Sequence, residues 1–312
     1  MELHESSQVV QNLLRKRDLL LQGDRAHEQI RSALVINGGA MRGAWGAGAV
    51  VAFHRLGLAN CFDVVVGIST GAAIASYFLA GEEQTLLGTA IYYEECLNGF
   101  ISFRRWPIAD ADHIERVMRS GRKKLDIDAI RKHRSQFFVG TTEWENGEAH
   151  FLDVKCAEPE PLAAIKASFA ITGLYRRPVM VNGRNFTDGS TAMPFPAKKV
   201  LESFDPTDMF VIANCSQANA LSSPSWTRKV LTTLFTTGLS PKVRALAAGR
   251  SDLWTENLEY LRGHTANVGI LWGPSSIGRL TLDYQRLRST AEEGARKTLA
   301  VFGQPELPFN LL

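Results

Sequence analysis

Apolar residues recur along the chain in two rhythms. Over residues 8–21, Val9, Val10, Leu13, Leu14, Leu20 and Leu21 return at helical spacing around a basic centre, and Gly23-Asp24 breaks the pattern. This predicts an amphipathic entry helix, either packed on the core or laid against a membrane or partner. Ser32 to Asn37 is instead a short, unbroken apolar run that ends in glycines. A helix over Ala44 to Leu56 follows, with Gly57 placed as its C-terminal stop. Phe62 to Gly67 repeats the apolar run, and Thr70 to Ala80 repeats the helix, stopped by Gly81. Strand, glycine turn, helix, strand, tight turn, helix describes a parallel sheet wound with helices, and Val/Ile runs without polar alternation suit strands buried on both faces.

The middle of the chain changes grammar. Gln136 to Thr142 and Glu148 to Val154 flank Asn146-Gly147, and Val179 to Val181 and Asn185 to Thr187 flank Asn182-Gly183. Each Asn-Gly pair predicts a hairpin, because both residues accept positive φ. Pro161 to Phe169 reads as helix and Asp208 to Cys215 as another core strand. The last hundred residues read as mostly helical, with one strand near Ala266 to Leu271. No internal repeat or low-complexity linker interrupts this pattern. The expected organisation is an N-terminal helix over 1–30 and one compact domain over 31–305.

Composition adds bounds. Apolar residues make up 45% and charged residues 21% of 312, ordinary for a globular chain with a large core. A formal charge of +3 does not argue for nucleic acid. Arg104, Arg105, Arg116, Arg119, Arg122, Lys123, Lys124, Arg131, Lys132 and Arg134 crowd one third of the chain. They form either a solvated helix face or a surface for anionic head groups. Cys61, Cys96, Cys156 and Cys215 are far apart, lack a CxxC pair and lie in or beside apolar runs, so buried free thiols are expected. The N-terminus is charged throughout and no apolar run is long enough to span a bilayer. The expected location is cytoplasmic, with peripheral membrane contact left open.

Gly67-Ile68-Ser69-Thr70-Gly71 is a G-x-S-x-G pentapeptide between a predicted strand and a predicted helix. That placement separates a nucleophile turn from a glycine-rich turn with an incidental serine. A sharp strand-to-helix turn aims Ser69 Oγ out of the sheet at the positive end of the next helix. Gly67 and Gly71 keep Cβ atoms out of the corner. One α/β step upstream, Asn37-Gly38-Gly39-Ala40-Met41-Arg42-Gly43 follows the first strand and opens the first helix. A dinucleotide loop, G-x-G-x-x-G, would need glycine as its third residue, where Ala40 stands, and an acid at the end of the second strand. Asp63 stands instead at its start. An oxyanion loop needs only small residues and free amides.

The Gly-Gly-Ala-Met-Arg-Gly run resembles the G-G-G-x-[RK]-G motif of patatin-like phospholipases, and most of all a bacterial branch of that family. The order of this loop and a G-x-S-x-G elbow is also the family's. The resemblance spans about Ala33 to Cys215, and more loosely Arg279 to Ala295. It implies a three-layer α/β/α fold with a central, mostly parallel sheet and a helical C-terminal part. It also implies a lipid or acyl-ester substrate and no metal or other cofactor. Asp188-Gly189-Ser190 matches the family's D-G-[AGS], with Ala167-Ser168-Phe169-Ala170 and Asn182 to Thr187 as the lead-in, against a plain Asp-Gly turn. The resemblance makes Ser69 the nucleophile and Asp188 the base of a dyad. Gly38 and Gly39, joined by Ala40 or Thr70, become oxyanion donors, and Arg42 holds the family's basic position, as an anchor of the loop or a contact for anionic substrate. Ala40 departs from the family glycine, so this position has ordinary dihedrals or the loop is reshaped. A carboxylate with a pKa of about 3.9 is a weak base for a serine hydroxyl, so the site must be desolvated or proton transfer concerted with attack.

Two other readings stand beside this one. A Ser69-Asp188-His264 triad of the α/β-hydrolase type fits the chain order, with His264 in a loop-like stretch. A catalytically silent protein that binds acyl chains or a partner would also tolerate Ala40. Tyr92, Tyr93, Phe100, Phe103 and Trp106, interleaved with the basic residues, form either a mobile cover over an acyl site or the core and surface of ordinary helices. Trp226 to Leu239 poses the same choice.

Overall fold

The computed structural model describes residues 7–102, 104, 108–156, 160–175, 177–222 and 226–311. Among these, eight strands form one sheet: β1 (Ser32–Ile36), β2 (Val64–Ile68), β3 (Gln136–Glu143), β4 (Ala149–Asp153), β5 (Val179–Val181), β6 (Arg184–Asp188), β7 (Asp208–Ala213) and β8 (Asn267–Trp272). Their order is β5-β6-β3-β2-β1-β7-β8, with β4 also on β3. The pairings from β3 through β2, β1 and β7 to β8 are parallel, and those of β4, β5 and β6 are antiparallel.

The apolar strands bury both faces, with successive residues alternating between two cores. Leu34, Ile36, Val65, Phe210 and Ile212 join one core, beneath the helices Gly43–Arg55, Thr70–Leu79 and Tyr284–Val301. Ala33, Val35, Val64, Val66 and Val211 join the other, beneath Ala197–Phe204 and Arg250–Arg262. The result is the expected three-layer α/β/α fold with a mostly parallel sheet and a helical C-terminal part. Phe53 joins the first layer together, meeting Phe78, Phe210 and Phe302 edge-on at centroid distances of 6.1, 5.2 and 6.0 Å. Burial of such a ring stabilises by about 1.5–3 kcal/mol.

The N-terminal helix, Gln8–Gln22, packs on this core. Lys16, in its basic centre, is fully buried. It donates to the Ile30 carbonyl (2.6 Å), Ser32 Oγ (2.9 Å) and the Asp63 carboxylate. Burial lowers the pKa of its ammonium, and Asp63 opposes that effect. Asp63 also accepts from the Ser32 amide at 2.8 Å and from Arg134, so it fastens the helix to the start of β2.

Several expectations need correction. The second strand starts at Val64 rather than Phe62, because Asp63 is taken up by this clamp. Cys61, Cys96 and Cys215 are buried free thiols, and burial pushes Cys61 up to about 11. Cys156 is free but exposed, since it lies just past the end of β4. The basic stretch is largely neutralised. Lys123 is buried against Glu94 and Glu95, Arg119 pairs with Glu115 and Glu160, Arg116 with Asp110 and Arg131 with Asp128. Tyr92, Tyr93 and Phe100 are core residues rather than a cover. Phe103, Arg105 and Trp106 lie outside the described residues.

His133 carries a pH prediction. Burial, helped by the Lys155 charge, pushes its pKa down from 6.5 to about 4, and its Nδ1 accepts from the Ser135 amide at 3.2 Å. The folded pKa lies below the unfolded one, so between pH 6.5 and about 4 the unfolded chain binds a proton that the folded chain refuses. This contribution to stability is present above that window and lost as pH falls through it. Urea unfolding should therefore weaken more from pH 7 to pH 5 in wild type than in His133→Asn. Parallel losses would contradict the neutral, half-buried imidazole.

Candidate functional site

The site arises from two strands that meet end to end. Phe138 pairs with Val66 on one side and Asp153 on the other, and Thr141 pairs with Asp188 and His150 in the same way. β2 and β6 therefore share one edge of β3. β2 runs parallel to β3 and ends with Ile68 opposite Gly140, while β6 runs antiparallel and ends with Asp188 opposite Thr141. Adjacent residues of β3 thus bring Ser69 and Asp188 together across 119 positions of sequence, with Ser69 Oγ donating to Asp188 Oδ2 at 2.6 Å. The other carboxylate oxygen, Oδ1, accepts from the Ser190 amide at 2.7 Å, which sets the carboxylate's orientation. Exposure of Ser69 is 4% and of Asp188 3%, so the pair is shielded from bulk water.

Ser69 has φ 56° and ψ −126°, a conformation L-residues rarely adopt. The tight turn holds it there. A Cβ at Gly71 would fall 1.9 Å from the Ile36 carbonyl oxygen, and one at Gly189 would fall 2.0 Å from that of Gly140. A Cβ at Gly67 would lie 2.5 Å from Ala72 Cα, and one at Gly43 would lie 2.5 Å from the Thr70 and Tyr92 hydroxyls, which bond to each other. Ser168 ties the two halves of the site. Its Oγ accepts from the Ser69 amide at 2.9 Å and donates to the Gly140 carbonyl at 2.6 Å, while its carbonyl accepts from the Gly189 amide at 3.2 Å. The helix Thr70–Leu79 starts directly after Ser69, so its positive end faces any negative charge that develops there.

The glycine loop after β1 lies between the ends of β2 and β7. A Cβ at Gly38 would sit 2.9 Å from Ser69 Cβ, and one at Gly39 would sit 2.7 Å from Asn214 Cβ. Among the described residues, the amides of Gly38, Gly39, Ala40 and Thr70 have no protein acceptor. The Met41 amide is committed to the Arg279 carbonyl at 3.1 Å. Arg42 is buried at 7% exposure inside the loop, as an anchor would be. Asn214, which closes β7, holds the loop from behind. Its Nδ2 donates to the Asn37 carbonyl at 2.6 Å and its Oδ1 accepts from the Gly46 amide at 2.9 Å.

Ala40 has φ 50°. Of the two expectations for this position, ordinary dihedrals are therefore wrong. Its φ lies in the left-handed region that favours glycine, and alanine bears a cost of about 1–2 kcal/mol for it. Ala40→Gly would relieve that cost while adding unfolded-state entropy of about 0.4–1 kcal/mol. A net gain of roughly 0.5 kcal/mol is expected as a higher urea midpoint at unchanged slope. A fall in stability would mean the methyl contributes packing that outweighs its backbone cost.

Beside Ser69 opens a narrow cleft lined mostly by apolar side chains, among them Met41, Ile74, Ile91, Phe100, Phe169 and Ile171. Ser69 and Thr70 stand at its rim, so the apolar lining runs up to the serine.

His264 is not brought to this pair. It precedes β8, whose first residue Asn267 aligns through Asp208 with Ser32, at the end of the sheet where the strands begin. Ser69 follows the opposite end of β2, so the length of a strand, about 16 Å for five residues, separates the two. Glu143, Glu148 and His150 bring ligand-type atoms within 4.8 Å of one another on the β3–β4 hairpin, but Glu143 already pairs with Arg184 and Asn146. Sequence reasoning passed over Asn214 and Gly140 and treated Ser168 only as lead-in. The one available signal for Asn214 was an amide at the end of an otherwise apolar strand.

Comparison with known proteins supplies an independent line. The family model described as patatin-like phospholipase matches residues 34–201. An uncharacterized protein, YjjU, of Escherichia coli (strain K12) is 26% identical over 220 residues, covering 68% of this chain and 60% of that protein. The chain thus spans less than two thirds of that relative's length. The crystal structure of VipD from Legionella pneumophila aligns with a TM-score of 0.41 at 12% identity, covering 88% of this chain and 67% of the other. The family match takes in more than half of the 312 residues, including the glycine loop, Ser69 and Asp188. The chain belongs to the patatin-like phospholipase family.

Proposed function

We propose that the protein is a serine acyl hydrolase that cleaves lipid carboxylic esters with a Ser69–Asp188 dyad. The observation that carries this reading is the 2.6 Å hydrogen bond from Ser69 Oγ to Asp188 Oδ2 within a shielded corner. As Ser69 Oγ attacks the ester carbonyl, its proton passes to Asp188 Oδ2, concerted with bond formation because a lone carboxylate is a weak base. The carbonyl oxygen becomes an oxyanion and is met by the amides of Gly38 and Gly39, joined by Ala40 or Thr70. Collapse expels the alcohol, which takes the proton back from Asp188. Water, deprotonated by the same carboxylate, then releases the fatty acid. The acyl chain occupies the apolar cavity beside Ser69.

The hydrolase unit is taken as residues 31–305, with the helix before it as a buttress through Lys16. Peripheral contact with a lipid surface is assigned to the helix Trp226–Phe235. Trp226 is 75% and Leu234 61% exposed there. No helix among the described residues is long and apolar enough to cross a membrane. Fatty-acid release from a mixed lipid extract, compared between wild type and Ser69→Ala, tests the reading, together with labelling by a fluorophosphonate. Release by wild type alone and label on Ser69 are expected. Equal release by both proteins would refute the function, and a folded wild type that neither hydrolyses nor labels would be a silent binder.

A further inference from the structure

A second cleft opens on the Asp188 side of the dyad. It holds a space of about 230 Å³, and Asp188, Ser190, Thr191, Thr236, Arg250 and Arg279 are among its lining residues. Ile171 lines both this cleft and the apolar cavity, so the two spaces adjoin where Ser69 meets Asp188. An ester held at Ser69 with its chain in the apolar cavity would direct its alcohol portion into the second cleft. The chemistry there differs. Apart from Asp188, which is bonded to Ser69, no carboxylate is among the described residues that line it, whereas Arg250 and Arg279 are. Arg250 and Arg279 also line the smaller hollow next to it, around Cys215. Arg250 opens the helix Arg250–Arg262, whose positive end adds to the field.

We propose that Arg250 and Arg279 are specificity-determining residues that bind a phosphate carried by the alcohol portion of the ester. This inference rests on the acyl hydrolase reading above and adds the residues that select the head group. Forked guanidinium donors suit phosphate oxygens, and two charges in a half-enclosed cleft would favour a charged head group over a neutral one. Arg279 has a second connection, since its carbonyl accepts from the Met41 amide directly behind the oxyanion loop. A phosphate drawn onto the Arg279 side chain therefore steadies the segment that positions the loop. Its effect should appear in kcat as well as in KM.

The test compares 1-acylglycerol 3-phosphate with the same 1-acylglycerol lacking phosphate. Wild type should favour the phosphorylated ester by about tenfold or more in kcat/KM, the factor a charge-assisted contact supplies. That ratio should fall about tenfold in Arg250→Gln and recover in part in Arg250→Lys. Glycerol 3-phosphate should compete against the phosphorylated ester on wild type, which keeps the test decisive if the variants fold poorly. A ratio near one, or a ratio unchanged by Arg250→Gln, would overturn the assignment. So would inorganic phosphate that speeds cleavage of the neutral ester, since the cleft would then serve a free anion. If wild type cleaves neither ester, the hydrolase reading fails, and calorimetry on Ser69→Ala decides the cleft by itself. Binding of the phosphorylated lipid at least tenfold tighter than the neutral one supports the two arginines, and equal binding rejects them.

Discussion

Ser69→Ala is expected to lose ester hydrolysis by about 10⁴-fold or more in kcat, and Asp188→Asn by nearly as much, with the double variant no worse than either. The reason lies in the two bonds of Asp188. Oδ1 is held by the Ser190 amide and Oδ2 receives Ser69 Oγ. An asparagine must present its one oxygen to the Ser190 amide, since turning its NH₂ there would set donor against donor. Its NH₂ then faces Ser69, which loses its proton acceptor while the fold stays intact. His264→Ala should stay within about twofold of wild type, because that imidazole stands a strand's length, about 16 Å, away. Initial rates on a p-nitrophenyl ester, with thermal melts to confirm folding, check all four proteins. An Asp188→Asn protein that retained a tenth of wild-type kcat would reject the aspartate as base, and loss of activity in His264→Ala would reject the dyad.

The parts of this site that were legible in sequence are those with local causes. A G-x-S-x-G turn, a glycine run at a helix start and Asn-Gly hairpins each report the backbone shape their own residues demand. The left-handed φ of Ser69, Asn182 and Gly183 agrees with those demands. Unbroken runs such as Ala33 to Ile36 likewise announce burial on both faces, and so the layered fold. What joins these pieces is not local. That β2 and β6 share an edge of β3 is a matter of register, with Gly140 opposite Ile68 and Thr141 opposite Asp188, and nothing around those two residues marks them as a junction. Asn214 reaches back 177 residues to the Asn37 carbonyl, and Lys16 reaches forward 47 residues to Asp63. In a helix with neighbouring arginines, Lys16 has the pattern of a solvated charge, and only the partner across the core shows otherwise. Polar contacts of such range are set by packing, which periodicity does not encode.

The loop gives the second large effect. Gly38→Ala should lower kcat by about 10²–10³-fold, the usual loss when an oxyanion donor is displaced, with KM little changed. The added methyl would lie 2.9 Å from Ser69 Cβ, 3.3 Å from Ser190 Cβ and 3.4 Å from the Ile68 carbonyl oxygen. None of these is the loose end of a flexible side chain. The first belongs to Ser69 in its constrained turn, and the second to the residue whose amide orients Asp188. The loop, whose Gly38, Gly39 and Ala40 amides are otherwise uncommitted, is the segment that yields, and its donors move away from the point where charge develops. Asn214→Ala acts on the same loop from behind, releasing the Asn37 carbonyl and the Gly46 amide, and should cost less because backbone contacts with β7 remain. Overpacking at Gly38 should also destabilise the fold by about 1–3 kcal/mol, so rates are to be measured well below the melting point. Wild-type kcat in folded Gly38→Ala would mean that the carbonyl oxygen is held by donors outside this loop, leaving the Thr70 amide at the helix start as the remaining candidate.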